Sequence, residues 1–362
     1  MKAAVLRETK QPLTLEEVTI DDPKPGEVLV RTGATGVCHS DLHYMLGAYP
    51  HPLPTILGHE SAGMVEQAGE GVTTVKAGDR VVLSFVPSCG NCERCVEGRP
   101  VLCLRTRRGE RPDKLTQGEA SINQFAGMSA FAEMQLVQES ACIPLPDGVP
   151  MESACLVGCS VMTGFGAVVN TAQMEPGSTV AVIGLGGVGL NIVQSAALAG
   201  ASRIFAVDIA EDKLQAARQF GATDTIDASQ DDPVDTLKKA TKRITGGGVD
   251  YAFEAIGLAK TAEQAFAMAR RGGAAVIVGM VPVGERISVP AAQFLTEKRI
   301  LGSFYGSARQ AKDMPKLLQL YQQDKIKIDE MITNRYSLDQ INEAYDDLQK
   351  GAMLRGVLTF EN

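Results

Sequence analysis

The sequence predicts an α/β protein of two parts, an antiparallel β domain over about the first 150 residues and a doubly wound parallel sheet from about residue 165 onward. Three observations predict it. Short alternating apolar runs punctuated by turns fill the first part. In the second part strands alternate with helical segments, the pattern of a parallel sheet. Between an apolar strand and an apolar helix there stands Gly184-Leu185-Gly186-Gly187-Val188-Gly189.

In chain order, residues 2–6, 13–20 and 27–33 read as strands around turns such as Asp21-Asp22-Pro23-Lys24-Pro25-Gly26. The pattern continues through 62–68 and through the turn Ala77-Gly78-Asp79, which feeds a strand ending at Leu83. Residues 104–124 are polar and irregular, with Arg105, Arg107, Arg108 and Arg111 clustered. A solvated loop is the expectation there, with an anion-binding entrance as its rival. Beyond the change of period, 179–183 reads as a buried strand and 190–199 as a helix. Strands at 203–207, 250–254 and 274–278 and helices at 213–220 and 261–270 follow, which leads to a six-stranded sheet.

Composition narrows the function. With 362 residues, 44% of them hydrophobic, the chain can fill two cores. Its formal charge of −8, without dense basic segments carrying aromatics, argues against nucleic acid and anionic membranes as partners. The longest apolar stretch, 180–201, is broken by glycines and by Asn191, Gln194 and Ser195, so it reads as strand, turn and helix rather than a membrane span. Residues 1–8 carry no apolar signal stretch, and a cytoplasmic location is expected.

The chemistry concentrates in three places. All four histidines, His39, His43, His51 and His59, fall in one 21-residue window beside Cys38. Cys89, Cys92, Cys95 and Cys103 then follow as C-x2-C-x2-C-x7-C, a spacing suited to a closed four-thiolate zinc site. Cys38, His59 and Cys159 lie far apart in sequence. As a three-ligand set they would leave zinc an open fourth position. Cys142 and Cys155 read as core residues. In the glycine turn, Gly184, Gly186, Gly187, Val188 and Gly189 match G-x-G-x-x-G in the right context, a dinucleotide pyrophosphate at a helix N-terminus. Asp208, 19 residues after Gly189 and followed by Ile209, can accept both ribose hydroxyls and repel a 2′-phosphate, which favours NAD; Lys213 could assist at the same ribose.

Together, Gly36-Val37-Cys38-His39-Ser40-Asp41, Gly58-His59-Glu60, the four-cysteine lobe, Val157-Gly158-Cys159 and the glycine turn with Asp208 resemble the zinc-dependent alcohol dehydrogenases of the medium-chain dehydrogenase/reductase superfamily, nearest to the class III-like subgroup. The resemblance spans essentially the whole chain. It implies a GroES-like catalytic domain from residues 1–160 and 305–362, a Rossmann NAD-binding domain from 161–304, and an active-site cleft between them. It also implies a catalytic zinc on Cys38, His59 and Cys159, with Glu60 and Asp41 behind the ligands, and a structural zinc in the 89–103 lobe. Ser40 would hydrogen-bond the alcohol, and His43 would end a proton relay through the nicotinamide ribose. Thr163 would lie beside the nicotinamide, and His39 and Arg355 on the pyrophosphate. Phe85, Phe125, Met280 and Phe304 would line the substrate pocket.

The implied activity is NAD-dependent, reversible oxidation of primary alcohols to aldehydes by a homodimer or homotetramer. Oxidation of S-(hydroxymethyl)glutathione is the alternative enzyme reading, and an NAD-binding structural or sensor protein the non-enzymatic one. Two features depart from the family. His39 stands where many relatives carry arginine, and the stretch between Cys103 and Phe125 is shorter than in class III members. His51, between Pro50 and Pro52, has no assigned role beyond a loop at the pocket side.

Overall fold

The structure, a computed structural model, describes residues 1–105 and 114–360, so Arg107, Arg108 and Arg111 lie outside the described residues. The chain forms two compact units, one of Met1–Cys159, Arg309–Asp324 and Ile328–Asn362, the other of Ser160–Ala308 and Lys325–Lys327. Within the second unit the turn Tyr305–Ser307 packs on the helix Met162–Gly166. Gly166 permits the approach, since a Cβ there would lie 2.1 Å from the Gly306 carbonyl oxygen.

The first unit is built on two sheets. One runs in the order Thr14–Glu17, Lys2–Leu6, Thr55–Ile56, Ala120–Gln124, Leu115–Gln117, Thr19–Ile20. The other runs Cys142–Pro144, Arg80–Leu83, Ser61–Ala68, Glu27–Val37, Arg355–Thr359, Ile332–Tyr336, with Met134–Gln138 also paired to Glu27–Val37. Valines explain the central strand: Val28 and Val30 are fully buried and cluster with Val65, Val81 and Leu83. Full burial of each contributes about 1.5–3 kcal/mol. The unit is not purely antiparallel. Ile332–Tyr336 pairs in parallel with Arg355–Thr359, and Thr55–Ile56 with Ala120–Gln124, because in both cases a long connection separates the strands.

The second unit holds a parallel six-stranded sheet in the order Asp224–Asp227, Arg203–Asp208, Thr179–Ile183, Val249–Glu254, Ala269–Ile277, Arg299–Gly302. The chain order is 3-2-1-4-5-6, a doubly wound sheet whose switch point falls between Thr179–Ile183 and Val249–Glu254. Ligands of such sheets bind at the carboxyl ends of those two strands.

The stretch read as strand, turn and helix resolves into Thr179–Ile183 and the helix Gly187–Leu198. Among the described residues the helix long and apolar enough to cross a membrane is instead Met151–Thr171. With 83% of its apolar window buried, it is a core helix. Two π-helical turns interrupt it, at Val157–Val161 and Ala167–Thr171.

Candidate active site

Three segments far apart in sequence converge in the first unit. The register Thr35↔Ser61 sets the end of Glu27–Val37 beside the start of Ser61–Ala68, and the Gly36 amide donates to the Glu60 carbonyl at 2.7 Å. Cys38 follows the first strand and His59 precedes the second. Cys159 arrives on the π-helical turn Val157–Val161, which lies so near the sheet that a Cβ on Gly158 would be 2.8 Å from the Leu83 carbonyl oxygen. Such turns recur at functional sites. The two sulfurs and one imidazole nitrogen lie within 4.8 Å of one another, all buried.

What surrounds the three donors fixes their state. Asp41, in the helix His39–Met45 that begins after Cys38, places Oδ1 2.9 Å from His59 Nδ1 and accepts from the Gly58 amide at 3.0 Å. This leaves Nε2 of His59 as the ligand atom. Gly58 is required, because its φ of 90° is left-handed and a Cβ would meet Phe131 at 2.7 Å. Burial opposes the charge on His59, yet Asp41 and Cys38 outweigh it and raise its pKa well above normal. Hydrogen bonding from Cys159 holds the Cys38 thiol well below its usual range, while the same bond pushes Cys159 well above. Two sulfurs so placed share a proton unless a cation replaces it. The set fits zinc with three protein ligands and one open position.

The second cysteine set fits a closed zinc site. Sulfur separations of 3.5 Å (Cys92–Cys95, Cys89–Cys103), 3.8 Å (Cys92–Cys103) and 4.0 Å (Cys89–Cys95) bracket the roughly 3.8 Å edge of a tetrahedron with Zn–S near 2.3 Å. None of the eight cysteines is in a disulfide. Backbone amides of Cys89 and Arg105 donate to the Cys103 sulfur at 3.4 Å, as expected around a thiolate. Arg105 also donates from Nη1 to Asn91 Oδ1 at 3.1 Å, which ties it to this lobe.

In the second unit the glycine turn joins Thr179–Ile183 to the helix Gly187–Leu198, whose N-cap, Gly186, makes no side-chain cap bond. A Cβ on Gly189 would lie 1.8 Å from the Gly184 carbonyl oxygen, whereas one on Gly186 would meet nothing within 4 Å. The third glycine thus serves close packing, and the second leaves room for a phosphate at the helix N-terminus. Asp208 ends Arg203–Asp208 and is locked to that turn: Oδ2 accepts from the Leu185 amide at 2.8 Å, Oδ1 from those of Ile209 and Ala210 at 2.8 and 3.1 Å.

An alcohol dehydrogenase GroES-like domain matches residues 24–147, and a zinc-binding dehydrogenase domain matches residues 187–323. The benzyl alcohol dehydrogenase of Acinetobacter calcoaceticus is similar over 99% of both chains, at 35% identity and a TM-score of 0.92. The chain belongs to the zinc-dependent alcohol dehydrogenases of the medium-chain dehydrogenase/reductase superfamily. Two further relatives of this family differ in coenzyme. A zinc-binding dehydrogenase from Sinorhizobium meliloti 1021, solved with NADP, is 30% identical over 99% of both chains, with a TM-score of 0.82. The acetophenone reductase of Geotrichum candidum, solved with NAD, is 28% identical over 99% of this chain and 97% of its own, with a TM-score of 0.83. As a zinc-binding alcohol dehydrogenase the protein is an oxidoreductase.

The remaining expected site residues divide between the units. Phe85 and Phe125 stand edge-on to the His59 ring at 5.2 and 6.1 Å. His51 joins that wall, edge-on to Phe125 at 5.3 Å and to Tyr44 at 6.0 Å. Ser40 and His43 are partly buried on the helix His39–Met45, and His39 is exposed at its start. Thr163, Met280 and Phe304 belong to the second unit, where Thr163 is buried and Phe304 is 54% exposed. Ile209 is 71% exposed beside Asp208, and Lys213 lies in the helix Glu211–Gln219.

Arg355, expected on the pyrophosphate, carries an ion pair inside the first unit. It is buried in the first unit, with Nη2 paired to Glu60 Oε2 and donating to the Val37 carbonyl at 3.2 Å. The register Gly356↔Val37 sends its side chain toward the metal ligands. Burial disfavours the charge of Arg355, but Glu60 and Cys38 outweigh it and raise its pKa further. This buried pair joins residues 295 positions apart, and only the placement of Arg355–Thr359 against Glu27–Val37 reveals it.

Proposed function

We propose that the protein reversibly oxidises primary alcohols with NAD, using a catalytic zinc on Cys38, His59 and Cys159 and a structural zinc on Cys89, Cys92, Cys95 and Cys103. The observation that carries this reading is the buried set of two sulfurs and one oriented imidazole beside the aromatic wall of Phe85 and Phe125. When bound, zinc supplies Lewis acidity toward the alcohol oxygen, and NAD accepts the hydride.

The chain's own residues bind, orient and move the proton. Asp41 fixes the tautomer of His59. Ser40 Oγ accepts the hydroxyl proton as it passes its own on, and His43, on the same helix, is the residue at which the relay ends, at a ring nitrogen. Burial lowers the pKa of His43, so below its ordinary value near 6.5 the imidazole is still a neutral acceptor over part of the range. Protonation blocks the relay only once pH falls through that lowered value. His43→Gln should therefore slow alcohol oxidation at least about tenfold at pH 6.5 and converge on wild type at high pH, where solvent takes the proton. A pH profile of kcat/KM checks this; an unchanged profile would route the proton elsewhere.

Asp208 supports NAD over NADP, since its carboxylate is fixed at the turn by three amides and would repel a 2′-phosphate. Asp208→Gly should shift the NADP to NAD ratio of kcat/KM toward NADP by about a hundredfold. Asp208→Asn, which removes only the charge, should shift it in the same direction. A wild-type preference for NADP would defeat the argument.

An assembly of at least two copies fits the edge strand Arg299–Gly302, which pairs on one side only among the described residues. The segment leading to it exposes Val283, Ile287, Phe294 and Leu295, the last at 89%. An open edge with apolar neighbours favours pairing with a second copy.

For the substrate, apolar walls favour longer or aromatic alcohols over ethanol, with about 0.8 kcal/mol for each methylene they contact. The similarity to a benzyl alcohol dehydrogenase supports the same reading. The test is kcat/KM for benzyl alcohol and hexanol against ethanol, with formaldehyde assayed with and without glutathione. A clear preference for the larger alcohols and no effect of glutathione are expected. A flat chain-length profile, or a strong glutathione requirement, would overturn the assignment.

A further inference from the structure

Two fully buried polar atoms near the catalytic zinc ligands have no hydrogen-bond partner of good geometry, Asp41 Oδ2 and Tyr345 Oη. Asp41 is 0% exposed and Tyr345 1%. One is an acceptor and the other carries a donor, and a buried pair of that kind is costly to leave unjoined.

Tyr345 reaches this place from the far end of the chain. It lies on the helix Ile341–Lys350, which packs against Glu27–Val37 and Arg355–Thr359. Its ring stands edge-on to Phe131 at 5.9 Å, in one apolar cluster with Val37, Leu42 and Met45. Those three side chains flank Cys38 and Asp41 in sequence. The Tyr345 phenol interacts with the Asp41 side chain and with Cys38, which places it beside both, and a phenol is protonated at neutral pH, so its hydroxyl is a donor.

We propose that Tyr345 is a positioning residue for the catalytic metal: its hydroxyl donates to Asp41 Oδ2 and holds the carboxylate so that Oδ1 stays aimed at His59 Nδ1. The apolar cluster fixes the ring, and the ring fixes the carboxylate. Asp41 Oδ1 already carries two bonds, to Gly58 and His59, both of which depend on the plane of the carboxylate. A donor on the opposite oxygen removes the freedom of that plane to rotate. Groups that orient a ligating imidazole set how well the site holds its metal.

This inference rests on Cys38, His59 and Cys159 holding zinc, as proposed above. Its test is Tyr345→Phe, which keeps the ring and its edge contact with Phe131 and removes only the hydroxyl. Zinc release to a colorimetric chelator is followed in wild type and variant, and both are also loaded with cobalt(II) at the open site for a ligand-field spectrum. The expected result is release from the catalytic site about tenfold faster, release from the four-cysteine site at the wild-type rate, and a shifted cobalt spectrum. Wild-type release rates with an unchanged spectrum would overturn the proposal. Equal loosening of both sites would overturn it too, since the effect would then belong to the fold. If wild type itself holds no chelator-accessible zinc dependent on Cys38, His59 and Cys159, it is the metal assignment that fails.

Discussion

Replacing Cys38 by serine should leave a folded protein that holds one zinc fewer and oxidises alcohols about a thousandfold more slowly. Cys38 is 7% exposed, and serine is close to it in size, so the packing cost is small. The electrostatic cost is not. Cys38 is the sulfur whose thiolate the neighbouring Cys159 and His59 favour, whereas a serine hydroxyl stays protonated and ligates zinc poorly. His59 and Cys159 would remain as two donors in a buried pocket, too few for a stable site. Elemental analysis and kcat/KM on the same preparation check both halves. Full zinc content with near wild-type turnover would remove Cys38 from the chemistry.

Cys95→Ser should act on stability instead. The lobe between Cys89 and Cys103 has little core of its own. Its short helix Glu93–Val96 buries no residue, Val96 is 76% exposed, and of the turn Pro100–Leu102 only Val101 is buried. A segment so thinly packed depends on its metal. Burial pushes the Cys95 thiol up to about 12, so without a cation it would stay protonated, and ordering the lobe is coupled to proton release. Losing this ligand should open the lobe to proteolysis and lower the melting temperature by roughly 5–10 °C, while the catalytic zinc is kept. Limited proteolysis and calorimetry report the two effects. An unchanged melting temperature together with a protease-resistant lobe would show that the metal does not hold it.

How much of this was legible in the chain depended on the distance over which a signal acts. The cysteine lobe was readable because its four ligands fall within 15 residues, and the dinucleotide turn because strand, glycines and helix are contiguous. The strand expected at 179–183 is the strand observed, since a run of five buried residues bounded by a glycine has little else to be. The pairing of Arg355 with Glu60 was not legible, because the two are adjacent only through a strand pairing that no local pattern announces. The helix Met151–Thr171 was missed for a related reason: its apolar residues lie on all faces, so it lacks the period that marks an amphipathic helix. Tyr345 has an ordinary core position in its helix, and only the neighbouring Asp41 gives its hydroxyl a role.

The central claim is that alcohol oxidation depends on the open zinc site and not on the closed one. It is tested most directly by following NADH formation from benzyl alcohol while a chelator removes zinc in stages. The account predicts that activity falls in proportion to the first equivalent of zinc lost per chain, with the four-cysteine site still filled, and returns when zinc is restored. Activity that survives the loss of that equivalent, or no NADH formation by the fully loaded protein, would contradict it.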